Sequence, residues 1–461
     1  MKFRVPRDRR QTSLLPRSVD EFVPANDIAR FVDMMVDEMD LGEIESRYSE
    51  NGRPAYSPRV LVKLLIYGKI RRVRSSRELA RAARENLSFV FLTSGETPDF
   101  RTISLFRKRF SKELAGLLKQ TIDIGMRQGV VDLETVAIDG TIKRASAGMG
   151  SFRSEEKLLK MLEASIQADA KVDDEEDKQQ GDDEGPKLPD ELTGEDVLRE
   201  RIRSALRQFQ DRPKGSKPLK QVSLTDPECR VIHSVHGKFG SYNAQAGVDA
   251  KHGFVVMGYV TNTSDGSELA RALKEIASNT GQNPRIAVAD AGYSSFEGLR
   301  ALNERGVDGY VNQPQSRSST LPRDQFEYVE SERAYRCPEG RWLRRKTHIS
   351  KQRQTVYVSE GCDGCSLRER CLENLHPGTR RYFYVHDDWP LRDLMAKKVR
   401  SEFGSAMMRL RSATVERLFG HQKWNRGISE FLFRGLQRVD DDWKFTLAVG
   451  NLEILFRESR R

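Results

Sequence analysis

The sequence predicts a mixed α/β protein: a sheet covered by helices, preceded by a helical N-terminal region. Three observations predict it. Residues 20–130 carry apolar side chains at helical spacing, as in "SPRVLVKLLIYGKI". From residue 134 short β-favouring runs alternate with helical ones. Beyond Trp389 the pattern is helical to the end.

In the first region, "SSRELARAARE" opens with a capping box, Ser75 to Glu78. "TPDFRTISLFRKRFSKELAGLLKQTIDIGMRQG" reads as a helix from an Asp99 N-cap to a Gly stop. Its start carries Arg101, Arg107, Lys108 and Arg109. Short helices followed by a basic one predict a helix-turn-helix-like DNA reader over 1–130, or an ordinary bundle with solvated cations.

The sheet region starts at "ETVAID". An insert follows over about 147–220, with an acidic run that predicts disorder or a solvated linker. "SYNAQAGVDA" and "GFVVMGYVTN", separated by "KHG", read as a hairpin. "DGSELARALKEIASNT" reads as a helix with Asp265 near its cap. "RIAVAD" is a buried strand, "SSFEGLRALNERG" a helix and "VDGYVNQ" a last strand. Helical crossovers predict a mixed sheet. Residues 131–314 and 386–461 would form this domain, and 315–385 a separate Cys-rich insertion.

Composition narrows the function classes. The chain of 461 residues carries 78 Lys and Arg against 68 Asp and Glu, a net charge of +10. The acidic run conceals a more basic remainder, which favours a polyanionic partner such as DNA over an ordinary enzyme of high pI. No apolar run reaches membrane-spanning length, and the basic start lacks a secretory apolar core. Five Cys in this length predict reduced thiols in a cytoplasmic protein.

The chemistry is carried by a repeated pattern. "VAIDG" and "VADAG" each run an apolar strand into an aspartate, Asp139 and Asp290, with a glycine nearby. In open sheets, ligands gather beyond the carboxyl ends of strands. Two carboxylates converging there repel unless a cation lies between them. Mg²⁺ (or Mn²⁺) accepts such ligands, and a pair of ions can activate an attacking oxygen and stabilise a leaving one in phosphodiester chemistry. The competing reading of each Asp is a turn cap. "SATVERLFGHQKW" adds Glu416, with Lys423 on the same helical face, although Glu416 alone reads equally as a surface acid.

These stretches, with "SLTDPECRVIHSVHGKFGSYNAQAGVDAKHGFVV", "GYVNQP" and "FLFRGLQRVDDDWKFTLAVGNL", resemble the DDE transposases of bacterial insertion sequences. The likeness is to the broad IS4/IS5 group, closest to its IS1182 type. It implies an RNase H-like fold in which Asp139, Asp290 and Glu416 hold the metal and do the catalysis. It implies Glu416 and Lys423 as the family's Glu-x6-Lys pair. The wider signature's upstream Tyr and Arg are not at their usual offsets, where Arg409 and Ser412 stand, and Arg411 is the nearest substitute for the Arg. The implied activity is binding of terminal inverted repeats, DNA cleavage and strand transfer, by a homodimer at the nucleoid. Lys143, Arg144, Arg107, Lys108 and Lys423 would hold DNA phosphates. The alternatives are a non-catalytic repeat-binding protein and a nuclease without strand transfer.

Cys337, Cys362, Cys365 and Cys371 remain. Cys-x2-Cys with two more thiolates suits a structural Zn²⁺ site, in a segment that looks too poor in apolar residues to build much core of its own. The competing reading is four reduced thiols. Cys229 stands apart as a core or loop residue, and His233, His236 and His252 read as structural or DNA-contacting.

Overall fold

The computed structural model describes residues 18–49, 54–165, 194–211, 218–234, 237–314, 320–425 and 427–461. Most of the acidic run, and His236, lie outside the described residues. The centre is a mixed sheet of β1 (Thr135–Arg144), β2 (Arg230–Ser234), β3 (Gly237–Asp249), β4 (Phe254–Thr261), β5 (Ile286–Ala289) and β6 (Asp308–Val311). β3 pairs antiparallel with β1, with β4 and, at its start, with β2; β1, β5 and β6 run parallel. The helices Glu268–Thr280 and Phe296–Glu304 make the crossovers that parallel pairing requires.

The hairpin at "KHG" forms as expected, with Asp249 opposite Phe254. β4 is an outer strand, and an open strand edge invites unwanted pairing. Here the C-terminal helix Leu436–Glu458 covers it with polar side chains. Val255 N–H donates to Asn451 Oδ1 at 2.9 Å, Asn451 Nδ2 returns a bond to Val255 O at 2.9 Å, and Val260 N–H donates to Asp440 Oδ1 at 2.7 Å.

The N-terminal helices pack onto this assembly through one continuous core. It joins Val62, Leu117 and Ile122 to Val256, Leu447 and Leu452. Ser75 Oγ accepts from Glu78 N–H at 3.1 Å, and Asp99 Oδ1 from Arg101 N–H at 2.7 Å, so Ser75 and Asp99 both cap their helices. The long helix expected after Asp99 breaks at Phe110 into Phe100–Arg109 and Ser111–Arg127. Phe110 is buried, its ring packed against Phe106 and Tyr48.

Residues 327–386 correct the expectation of a core-poor segment. They form a five-stranded antiparallel sheet whose strands neighbour in chain order. Leu321, Phe326, Tyr335, Leu343, Tyr357 and Phe383 give it a core of its own. The aromatic residues do this with few aliphatics, since each ring buries a large area.

Candidate catalytic site

β1 does not end at Asp139. It continues to Arg144, paired with β3 throughout. Its parallel neighbour β5 stops at Ala289, opposite Ile138. The sheet therefore splits at this point, and Asp139 and Asp290 leave adjacent strands one step beyond the last pair. Neither carboxylate is deeply sealed, since both are partly exposed. Asp290 Oδ1 accepts from Gly292 N–H at 2.8 Å, so it also caps the short turn Ala291–Tyr293. The cap and the strand-end reading are thus both true of it.

Asp139 Oδ1 accepts from Gly140 N–H at 2.8 Å. Its Oδ2 takes Arg411 Nη1 at 2.6 Å in a largely buried ion pair. Burial pushes the Asp139 carboxyl up to about 6, and the negative charge of Asp290 adds to the rise, while Arg411 opposes it. The pair of acids thus behaves as a site short of positive charge, with a guanidinium already drawn against it. That chemistry fits a divalent cation.

The segment carrying Glu416 comes next. Ser412–Glu416 and His421–Asn425 are π-helical, flanking one α-turn, Arg417–Gly420. Such wide turns recur at functional sites and change the angle at which later side chains emerge. Glu416 is exposed here, between Arg411 and Lys423 in the chain. Lys423 lies in the field of Asp139, with burial lowering its ammonium. The structure does not gather Glu416 with the two aspartates: among the described residues no three His, Cys, Asp or Glu side chains form a group that could hold a metal.

A third carboxylate is present that the sequence reading assigned to a helix cap. Ser267 holds the N-cap position of Glu268–Thr280. Asp265 instead turns toward the site, where its Oδ1 accepts from Asn243 Nδ2 and Gln245 Nε2, each at 2.8 Å. The available signal was that "SDG" follows a strand, as Asp-Gly does at Asp139.

Two expected phosphate-binding residues are elsewhere. Lys143 is 1% exposed, with Nζ 4.6 Å from the Phe431 ring centre and 4.7 Å from that of Trp443. Burial pulls its ammonium down to about 7. Strand alternation explains the correction: Arg144 faces solvent over the Phe239 ring, so Lys143 must face the core. Arg107 is also turned inward. It donates to Arg74 O at 2.9 Å and covers the Phe433 ring, joining the N-terminal helices to the loop after the Glu416 segment. Lys108 is exposed.

Cys337, Cys362, Cys365 and Cys371 all line one small cavity of ≈ 20 Å³ in the second sheet. Cys337 Sγ accepts from Arg341 N–H at 3.2 Å, and Gly340 at φ +77° closes the turn. Their sulfurs are not set as a ligand group. Cys229 is buried, its thiol pushed up to about 12. His233 is exposed, and His252 Nδ1 lies 3.4 Å from Glu458 Oε1.

A split sheet with acids at the split, flanked by cations, is an arrangement suited to metal-assisted chemistry on phosphodiesters. The comparisons agree. Residues 17–109 match the family described as a transposase domain (DUF772), and residues 336–456 match the transposase DDE domain. No curated protein and no solved structure matches the chain. Two transposase family models thus match separate parts of the chain and support a DDE transposase of insertion sequences, a class of metal-dependent enzymes of DNA cleavage and strand transfer. No helix among the described residues is long and apolar enough to cross a membrane.

Proposed function

We propose that this transposase binds the terminal inverted repeats of its own element, cuts their 3′ ends and joins them to target DNA as a homodimer. The observation that carries this is the adjacency of Asp139 and Asp290 at the split between β1 and β5. The order β4-β3-β1-β5-β6, with β3 antiparallel to β1, supports the RNase H-like reading.

Asp139, Asp290 and Glu416 would hold Mg²⁺ or Mn²⁺. When bound there, the metal would supply activation of the attacking oxygen and charge stabilisation of the leaving one. The chain's own part is positional. Asp139 and Asp290 fix the site on rigid strands, and Gly140 N–H and Gly292 N–H orient their carboxylates. Arg411 and Lys423 supply positive charge beside the acids, where a DNA phosphate enters. For Glu416 to join the aspartates, the π-helical segment that carries it would have to move toward them. The exposed cations Arg144 and Lys108 hold flanking phosphates. Cys337, Cys362, Cys365 and Cys371 would hold a structural Zn²⁺ in the second sheet.

Asp139→Asn and Asp290→Asn test this, using a gel shift and a cleavage and joining assay on one labelled repeat end. Cleavage should be lost and repeat binding kept, because affinity comes mainly from Lys and Arg contacts to phosphate. Wild-type cutting by either variant removes the assignment. Cutting without joining by the wild type would make the protein a nuclease instead.

A further inference from the structure

Asp265 has two features that a surface turn acid does not need. The first is the room made for it. A methyl group on Gly140 would come within 2.7 Å of Asp265 Oδ1 and 2.3 Å of Gln245 Nε2. One on Gly292 would lie 3.3 Å from Asp265 Oδ2 and 2.9 Å from Asp290 Oδ1. The glycine after Asp139 and the glycine two after Asp290 thus both leave space at the same carboxylate. Neither is there for a left-handed backbone, since neither is among the positive-φ residues.

The second feature is how it is held. Asn243 and Gln245 come from β3, and both are almost fully buried. Gln245 Oε1 accepts from the hydroxyl of Tyr293, itself fully buried in the turn that follows Asp290. The Gln245 amide is therefore fixed in orientation: its oxygen faces Tyr293 and its nitrogen faces Asp265. One hydrogen-bonded chain runs from the Asp290 turn through the central strand to Asp265. Both donors to Oδ1 are neutral, and among the described residues no ion pair is formed by Asp265. Its charge is held in place without being neutralised, facing the site where Asp139 and Asp290 already repel one another.

We infer that Asp265 is a positioning residue for the divalent cation, a fourth acidic group that stands behind Asp139 and Asp290 and strengthens their hold on the metal. This rests on the proposed role of those two aspartates. Outer carboxylates of metal sites commonly contribute 10–100-fold in affinity, about the range expected here.

The experiment uses full-length protein and Mn²⁺ alone, followed by electron paramagnetic resonance titration, with thermal melting in parallel. Asp265→Asn keeps an oxygen for the Asn243 and Gln245 amides and removes only the charge. Its Mn²⁺ affinity should fall roughly 10–100-fold, with the metal-free melting temperature and repeat binding unchanged. Cleavage by this variant should return as Mn²⁺ is raised, whereas Asp139→Asn should not recover. Asp265→Asn with wild-type Mn²⁺ affinity overturns the inference. If Asp139→Asn also titrates as wild type, the strand-end metal site itself is at fault. A loss of melting temperature in Asp265→Asn, with Mn²⁺ affinity intact, assigns Asp265 to the fold alone.

Discussion

Arg411 Nη1 stands 2.6 Å from Asp139 Oδ2, a positive charge placed where a metal-holding carboxylate needs one. The side chains are only 13% and 16% exposed, so the pair is poorly screened by solvent. Removing one partner of such a pair leaves a buried charge uncompensated. Arg411→Gln should therefore destabilise the metal-free protein by about 1–3 kcal/mol at pH 8. Mn²⁺ should restore more stability to this variant than to wild type, because it no longer competes with the guanidinium. Thermal melts with and without Mn²⁺ check this, and equal Mn²⁺ shifts in both proteins would refute it.

The same carboxyl predicts a pH dependence. Asp139 moves up from an ordinary 3.8 to about 6, chiefly through burial. The native state then binds more protons than the unfolded chain between those values. Stability in the absence of metal should therefore fall as pH rises from about 4 to about 6, by up to about 3 kcal/mol. Asp139→Asn should lack that fall. Divalent affinity should run the other way, weakening below about pH 6 with uptake of about one proton per site. Melting curves in chelator from pH 4 to 8, paired with Mn²⁺ titrations, measure both slopes.

The division between buried and exposed cations can be read from salt dependence. Arg144→Ala should reduce the slope of log affinity against log salt by about 1, the signature of one lost phosphate contact. Lys143→Met should leave that slope unchanged, because its ammonium faces Phe431 and Trp443. Arg107→Ala should lower stability by about 1–3 kcal/mol, since the Arg74 carbonyl loses its donor. A Lys143→Met slope matching that of Arg144→Ala would show that the β1 end opens on DNA.

The cysteine cavity predicts a metal analysis. Purified protein should carry one zinc, with Cys337, Cys362, Cys365 and Cys371 protected from alkylation until a chelator is added. Cys365→Ser should lose the zinc and lower the melting temperature of the second sheet. Free alkylation of all four thiols in zinc-free protein that melts normally would leave them as plain core thiols. That outcome is physically open because this sheet has its own aromatic core.

Much was written locally in the chain. An apolar run entering Asp-Gly, or Asp-Ala-Gly, states both a strand and the acid that follows its apolar part, so Asp139 and Asp290 could be named from ten residues of context each. The caps at Ser75 and Asp99 are equally local, because a cap bonds a backbone group two or three positions away. The resemblance to a family joined these pieces into one site.

What tertiary structure alone decided involves residues far apart. Arg411 and Asp139 are separated by 272 positions, and no periodicity relates them. Lys143 looked like a surface cation until Phe431 and Trp443 closed over it, because burial depends on what packs against a strand face. Asp265 looked like a helix cap because its partners Asn243 and Gln245 lie on another strand. The sequence by itself determined the central strands and the acids that follow their apolar runs, but not the second sheet or the continuation of β1 past Asp139. The fold decided which charges face one another, because Coulomb interactions act through space and a sequence records only order along the chain.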